Sequence, residues 1–383
     1  MLCHYIWGES VATLSDVAQS AGVSITAASL VLSDAAGATR ISESTARRIR
    51  EKARELGYHP NAAARRLARR KSDLVGVLAE TFSYTIALRR LEATIRALLD
   101  NGYQPLVWAA DWSESKWQYA HGILASNGVA GALILGPTDP TSKMEIARRL
   151  MDADIPTVSF DAGDGLAGAG VDRRGSFHDL TRAAISAGHT KIGYLEPGAG
   201  KSVDTLRVDG IEAAIAECDG DVSLVSLRPF AAADSPSPPA RSARELGFQT
   251  GHLGADMFLA NDDPPSAVIC HCDDVAIAFM HRIQSAGLRV PDDVAVFGFD
   301  GLPESSCTYP PLTTVEQPVD EVSTAAVASL LGFIDDTDTA SEDYRLFPGS
   351  LIVRESSGGI SGAPYASGQL RDRRRGGELM SAQ

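Results

Sequence analysis

The chain has 383 residues, of which 44% are hydrophobic and 22% are charged, and its formal net charge is −14. This length predicts two or three domains of about 100–200 residues each, and the ordinary composition excludes a globally disordered chain. No segment approaches the roughly 18 consecutive apolar residues of a membrane span, and the five cysteines lack the spacing of a disulfide framework. Residues 1–12 lack the basic and apolar regions of a signal peptide, so we expect a cytoplasmic protein.

Two short helices joined by a tight turn are predicted near the start of the chain. Thr13 can cap the first helix, with Asp16 at the capping-box position. Gly22 tolerates positive φ, and Ser24 can cap a second helix from Ile25 to Leu32. Two short helices around a glycine-containing turn predict a helix-turn-helix, whose second helix can enter the major groove of DNA.

A third helix and an arginine-rich stretch follow. Ser42 can cap the third helix, which ends near Gly57, and a short helical stretch is predicted over residues 62–70. From Arg40 to Lys71 the chain has eleven Lys and Arg residues against three Asp and Glu residues. This charge favours contact with a polyanion, although charge alone is also compatible with a solvated basic helix surface. The alternative for the three helices is a small helical interaction domain.

From residue 74 onwards, short β-rich segments alternate with helical ones. The predicted strands are 74–79, 104–108, 131–135, 157–161, 191–195, 223–227, 267–272 and 294–300. The predicted helices between them include 88–100, 142–151, 176–187, 205–217 and 274–286. Such alternation predicts parallel sheets with helices on both faces, and a length of about 280 residues fits two such lobes better than one. Ligands of these folds bind beyond the carboxyl ends of the strands, here between the two lobes.

Three segments resemble nucleotide or metal motifs, but each lacks a required element. The glycines of residues 163–168 are not followed by a helix, and residues 198–202 lack the first glycine of a phosphate-binding loop. Residues 270–273 contain two cysteines and a histidine, but no second pair of ligands lies at a suitable spacing. The sequence therefore predicts no cofactor, no metal site and no catalytic residues.

Four groups of residues in the first part of the chain have the order and spacing of a known family. They are Thr13 to Ala18, Ala21 to Ser24, Ser29 with Val31 and Leu32, and Gly57, Tyr58, Pro60, Asn61, Ala64, Leu67 and Ala68. They resemble the lactose-repressor/galactose-repressor family of bacterial transcription regulators. The resemblance implies that the helix-turn-helix binds operator DNA and that a hinge helix orders on the operator.

The resemblance also implies which residues contact DNA. These residues are Thr13, Ser24, Ile25, Thr26, Ser29, Leu30, Tyr58, Asn61, Ala64 and Leu67. Leu67 would enter the minor groove as an apolar wedge between arginines that face phosphates; the alternative is a core leucine of an ordinary linker helix. Family members often carry Arg at the position of Leu30, so the base sequence of the operator does not follow from the resemblance.

The second part of the chain resembles the sensor region of the same family, which is itself similar to periplasmic sugar-binding proteins. The matching segments are 155–161, 188–193, 207–210, 287–294, 298–300 and 311–318. The resemblance implies effector contacts at Phe82, Tyr84, Asp161, Arg207, Cys272 and Asp300, with Cys272 in place of the usual Asn. Asp and Arg side chains can bond to neighbouring hydroxyl groups of a sugar, whereas their alternative role is structural, in salt bridges between lobes or in helix caps.

The predicted fold is an all-α helix-turn-helix head followed by an α/β sensor of two doubly wound parallel-sheet lobes, like that of periplasmic binding proteins. The predicted segments are an N-terminal extension (1–12), the head (13–59), a hinge helix and linker (60–72), a two-lobed effector-binding and dimerisation domain (74–355) and a disordered tail (356–383). The predicted function is that of a repressor, acting as a homodimer on a near-palindromic operator and controlled by a small effector such as a sugar. The alternatives are a regulator that has lost inducibility, or one that senses a purine or another small polar metabolite.

Overall fold

The computed structural model describes residues 12–32, 41–58, 72–80, 85–110, 114–136, 140–161, 165–197, 205–229, 243–336 and 344–358. Five predicted contact residues lie outside these ranges, namely Asn61, Ala64, Leu67, Phe82 and Tyr84, as do nearly all of the hinge segment and the chain after residue 358. The chain divides between Ser72 and Asp73 into two compact units, the head and the sensor.

The head consists of three helices around a small apolar core. They are α1 (Leu14–Ser20), α2 (Ile25–Leu32) and α3 (Glu43–Glu55). Val17, Ala28, Val31 and Ile49 are buried almost completely where the three helices meet. The predicted three helices are therefore confirmed, with ends that differ from the prediction by one or two residues.

Side-chain caps start each of these helices, as the sequence predicts. The hydroxyl of Thr13 accepts a hydrogen bond from the Asp16 N–H at 3.3 Å, and the Asp16 carboxylate accepts one from the Thr13 N–H at 2.8 Å. Ser24 accepts from Ala27 N–H at 3.1 Å at the start of α2. Gly22 has φ +62°, which a residue with a Cβ adopts only at a cost, so this glycine makes the tight turn possible.

The described residues of the sensor form alternating strands and helices. The strands are β1 (Leu74–Glu80), β2 (Gln104–Ala110), β3 (Gly131–Ile134), β4 (Thr157–Phe160), β5 (Gly168–Val171), β6 (Lys191–Leu195), β7 (Ser223–Leu227), β8 (Ala267–Cys270), β9 (Ala295–Phe297), β10 (Thr314–Glu316), β11 (Tyr344–Phe347) and β12 (Ser350–Ile352). The helices are α4 (Thr85–Asp100), α5 (Glu114–Ser126), α6 (Pro140–Met151), α7 (Arg173–Ser186), α8 (Thr205–Ala216), α9 (Ala243–Leu259), α10 (Asp273–Ser285) and α11 (Val319–Asp335).

Two parallel sheets define two lobes. The first lobe has six strands in the order β11-β5-β4-β3-β1-β2, and the second has four in the order β7-β6-β8-β9. Apolar clusters form on both faces of the sheets, where helices cover them. The predicted pair of doubly wound lobes is confirmed. Among the described residues, no helix is long and apolar enough to cross a membrane.

The chain crosses between the lobes more than once. After β9 of the second lobe it forms β10, and α11 then packs against α4 and β5 of the first lobe. Strand β11 completes the first sheet, and β12 returns to pair with β10. Residues 300–318 therefore connect the two lobes beside the predicted effector site.

Some expectations for the sensor need correction. The short strands β5, β10, β11 and β12 were not predicted, because three or four residues carry little periodicity and their pairing is decided by distant segments. The predicted tail starts too early, since Ser356 and Ser357 are buried. The Ser356 hydroxyl donates to the Val296 carbonyl at 2.6 Å and so belongs to the second lobe.

Candidate DNA-binding head and effector site

The outer surface of α2 carries most of the side chains that the sequence assigns to base contacts. Ile25, Thr26 and Ser29 are exposed, and Ile25 retains 53% of its accessible surface. Leu30 is half-buried and contributes only part of its side chain to this surface. An apolar side chain beside small hydroxyl groups suits contact with thymine methyl groups and base edges in a major groove.

Three other predicted DNA contacts also hold the head together. Thr13 and Ser24 cap their helices, and Tyr58 packs against the head core. Sequence reasoning gave no role to Arg48, whose Nε donates to the Ala21 carbonyl at 3.0 Å and ties α3 to the end of α1. These contacts fix the position of α2, which has to be held rigidly if it is to read bases.

Asp161 lies directly after β4, where the carboxyl ends of the first-lobe strands meet. Its Oδ2 accepts a hydrogen bond from Arg173 Nη2 at 2.7 Å and a second, short one from Arg90 Nη1. Burial alone would raise the pKa of Asp161, but the charges of Arg173 and Arg90 hold it well below its ordinary value. The Asp161 carboxylate is therefore ionised and bound between two cations.

Asp300 occupies the corresponding place after β9 in the second lobe. Its Oδ1 accepts from Gln317 Nε2 at 2.5 Å, and Gln317 Oε1 in turn accepts from Arg90 Nη2 at 2.5 Å. Burial, and after it the nearby Asp273, raise the pKa of Asp300 well above its ordinary value. Through Arg90 and Gln317, a continuous chain of hydrogen bonds joins Asp161 of one lobe to Asp300 of the other.

Arg207 lies in the first turn of α8 and faces the same region. Its guanidinium carbon is 5.4 Å from the ring centroid of Phe177 and 5.7 Å from that of Phe299, the residue before Asp300. Its charge acts to lower the pKa of Asp300. One turn along α8, a Cβ added to Gly210 would lie 2.2 Å from the Arg174 carbonyl oxygen, so this glycine allows α8 to approach α7 closely and helps to place Arg207.

Cys272 is the fourth predicted effector residue within the described part of the chain. It is buried at the N-cap of α10, beside Asp300, because the Asp273 N–H donates to the Phe299 carbonyl at 2.8 Å. Burial, followed by the charge of Asp300, raises the pKa of the Cys272 thiol well above its ordinary value. The thiol is therefore neutral and a much weaker hydrogen-bonding group than an amide.

Both aspartates of the site have strained backbone conformations. Asp161 has φ +51° and Asp300 has φ +131°, conformations that cost of order 1–3 kcal/mol for a residue with a side chain. Such strain is typical of binding sites, where the surrounding structure forces a side chain into a required direction. Asp161, Arg207, Cys272 and Asp300 thus converge at the strand ends of the two lobes.

Comparisons with known proteins agree with both parts of this structure. A family model described as bacterial regulatory proteins, lacI family, matches residues 13–61, and a periplasmic binding protein-like domain matches residues 181–357. The HTH-type transcriptional repressor PurR of Vibrio cholerae (strain M66-2) is 29% identical over 354 residues, which cover 90% of this chain and 98% of that protein. The chain therefore combines a DNA-binding domain of the lacI type with a periplasmic binding protein-like domain.

Other bacterial repressors show the same extent of similarity. The ribose operon repressor of Haemophilus influenzae is 27% identical over 356 residues, covering 90% of this chain and 98% of its own. A crystal structure of the lac repressor dimer bound to operator and the anti-inducer ONPF has a TM-score of 0.76 at 25% identity, covering 91% of this chain and 99% of that one. The chain is therefore a transcription regulator with a DNA-binding head and an effector-binding sensor.

Family resemblance alone did not identify Arg90, Arg173 and Gln317 as parts of the site. A signal for Arg90 exists in the sequence, because it shares a helix face with Thr94 and Leu98, which are both buried. An arginine on the apolar face of a helix requires a buried partner. Gln317 and Arg173 carried no such signal, since the first follows a short strand and the second begins a helix.

The cysteines of residues 270–273 lie in the core of the second lobe. Cys270 is fully buried in β8, and burial raises the pKa of its thiol. Among the described residues, no group of three or more His, Cys, Asp and Glu side chains is arranged to hold a metal ion. Asp273 instead accepts from the Leu302 N–H at 2.8 Å and the Thr314 hydroxyl at 2.6 Å, which fixes the connection between the lobes.

Proposed function

We propose that the chain is a cytoplasmic repressor that binds a near-palindromic operator as a homodimer and is controlled by a small hydroxylated effector bound between the sensor lobes. The observation that carries this proposal is the hydrogen-bonded path from Asp161 in the first lobe to Asp300 in the second. A ligand that replaces some of these hydrogen bonds changes the free energy of one arrangement of the lobes relative to another. Differential binding of this kind is what allows an effector to control a distant site.

The chemistry of the site suits a ligand with several hydroxyl groups. Asp161 and Asp300 supply acceptors on opposite lobes, and the Arg207 guanidinium supplies several donors in one plane. Phe177 and Phe299 hold that guanidinium from one side, which limits its rotation. A sugar is therefore the first class of ligand to test, followed by purines and other small polar metabolites.

The DNA-binding mode follows from the head. Helix α2 would enter the major groove with Ile25, Thr26, Ser29 and the exposed part of Leu30, while the helix N-termini and the basic segment contact phosphates. A homodimer presents two such helices, so its operator repeats in inverted orientation. The lac repressor structure similar to this chain is a dimer bound to operator, which supports the same assembly here.

A regulator that does not respond to any effector is the second candidate, and one observation favours it. Arg90 and Gln317 already bond to both carboxylates that a neutral sugar would use. If this arrangement is permanent, the sensor is a rigid dimerisation domain, and the chain binds its operator constitutively.

One set of experiments tests the proposal. The full-length protein is used to select DNA sequences from a random pool, and the selected site is footprinted for two inverted half-sites. Operator release is then measured against a panel of sugars, sugar acids, sugar phosphates and purines. Release by one class supports effector control, specific binding without release by any class supports the constitutive regulator, and absence of sequence-selective binding contradicts both.

A further inference from the structure

Two buried guanidinium groups share a single carboxylate in the effector site. The side chains of Arg90, Arg173 and Asp161 are only 11%, 7% and 9% exposed. Both arginines donate to the same oxygen, Asp161 Oδ2. These three groups therefore carry a net positive charge in a place that is largely removed from water, where an unbalanced charge is costly.

Asp300 also attracts Arg173, but it offsets this charge only weakly. Asp300 faces the neutral amide of Gln317, and burial and Asp273 raise its pKa, which favours its uncharged form. Arg173 Nε is buried and has no hydrogen-bond partner among the described residues. A second anion beside Asp161 would balance the two guanidiniums and give them further acceptors.

We propose that the effector is an anionic hydroxylated molecule whose carboxylate or phosphate group binds Arg90 and Arg173 alongside Asp161. This inference rests on the proposed function, in which the effector binds between the lobes. Arg90 is then the residue that determines specificity for charge, because it extends from α4 of the first lobe to both Asp161 and Gln317. Guanidinium groups bind carboxylates and phosphates through paired, charge-assisted hydrogen bonds, which a neutral sugar cannot supply.

Matched pairs of ligands that differ in charge test this inference. Calorimetry with the full-length protein compares D-gluconate with D-glucose, D-galacturonate with D-galactose, and D-ribose 5-phosphate with D-ribose. We expect a charged member to bind at least about tenfold more tightly than its neutral counterpart, since one charged hydrogen bond contributes of that order. The first two pairs report on a carboxylate, and the third reports on a phosphate.

Two variants of α4 then test which arginine causes the preference for the charged ligand. Arg90→Gln keeps a polar side chain but removes the charge, and we expect it to weaken binding of the charged ligand by about ten- to a hundredfold. Arg96→Gln is the matched control on the same helix, because Arg96 is 57% exposed and pairs with Glu92 and Asp320 at the surface. It should leave the affinity for both members of each pair unchanged.

Three results would overturn the inference. They are equal or tighter binding of the neutral members, no binding by any charged member, and an Arg90→Gln protein that folds normally and keeps its preference for the charged ligand. If Arg90→Gln does not fold, as judged by circular dichroism, the wild-type comparison of matched pairs decides alone. Operator binding is also measured without ligand, because this binding depends on the head and not on the charge of the effector. If the operator is still bound, only the inference about charge has failed; if it is not bound, the proposed function has failed.

Discussion

Asp161 is the buried aspartate of the sensor site that forms ion pairs. It accepts from two arginines, and the charges of both keep its pKa well below the ordinary value although burial acts in the opposite direction. An aspartate whose pKa is lowered on folding stabilises the protein above its unfolded pKa of about 4. That contribution is lost as the pH falls through the pKa that Asp161 has in the folded protein.

Replacement of Asp161 by Asn should therefore destabilise the sensor by about 3–5 kcal/mol at pH 7, because two buried guanidiniums lose the carboxylate to which both bond. Urea unfolding of both proteins between pH 5 and pH 8 measures the difference, which we expect to stay constant over this range. Asp152→Asn is the matched control, since Asp152 pairs with Arg148 at the exposed end of α6 and contributes little. If Asp161→Asn lowers the free energy of unfolding by no more than Asp152→Asn does, the buried ion pairs do not stabilise the fold.

At the scale of single elements, α7 and α8 illustrate how packing places a functional side chain. Gly210 has no room for a Cβ, because the nearest atom is a backbone oxygen of α7 that cannot rotate away. We expect Gly210→Ala to destabilise the sensor by about 1–3 kcal/mol and to weaken effector binding through Arg207. Gly122→Ala in α5 is the control, since a Cβ there meets nothing within 4 Å and helix propensity favours alanine. Equal thermal stability of the two variants would contradict the role of Gly210.

Helix α2 is the element that should read DNA. Ile25 is exposed and makes no contribution to the head core, so Ile25→Ala should weaken operator binding about tenfold while the melting temperature of the protein stays unchanged. Leu56→Ala removes a similarly exposed apolar side chain at the end of α3 and serves as the control in the same binding assay. If both variants bind like wild type, the exposed face of α2 does not contact bases.

For the molecule as a whole, local signals in the sequence predicted the elements better than their connections. Helix caps at Thr13, Ser24 and Ser42 and runs of buried strand residues act over a few positions, so they were readable without the structure. The bond between Arg90 and Gln317 joins residues 227 positions apart and depends on the return of the chain between the lobes. Family resemblance identified Asp161, Arg207 and Asp300, but it did not identify Arg90 and Arg173, which bond to Asp161, or Gln317, which bonds to Asp300.

The distribution of charge along the chain predicts which segment contacts DNA. The chain is acidic overall, yet the segment from Arg40 to Lys71 has eleven basic residues against three acidic ones. This segment can approach phosphates with little repulsion, so a plot of log K for the operator against log salt should be linear and fall with salt. Fluorescence anisotropy with the selected operator at about 50–300 mM salt measures the slope of this plot. Removal of one side chain that contacts a phosphate should reduce the magnitude of the slope by about one.

Arg65 and Arg96 provide the decisive comparison for that slope. Arg65 lies in the basic segment, next to the residues expected to contact the operator, whereas Arg96 lies on the sensor surface. Arg65→Gln should reduce the slope and weaken binding to specific and non-specific DNA alike, because phosphate contacts carry no sequence information. Arg96→Gln removes the same charge from the same chain and should change neither quantity. Because the two variants have identical net charge, a difference in slope between them reflects the position of the charge that was removed. Identical slopes would show that Arg65 makes no phosphate contact.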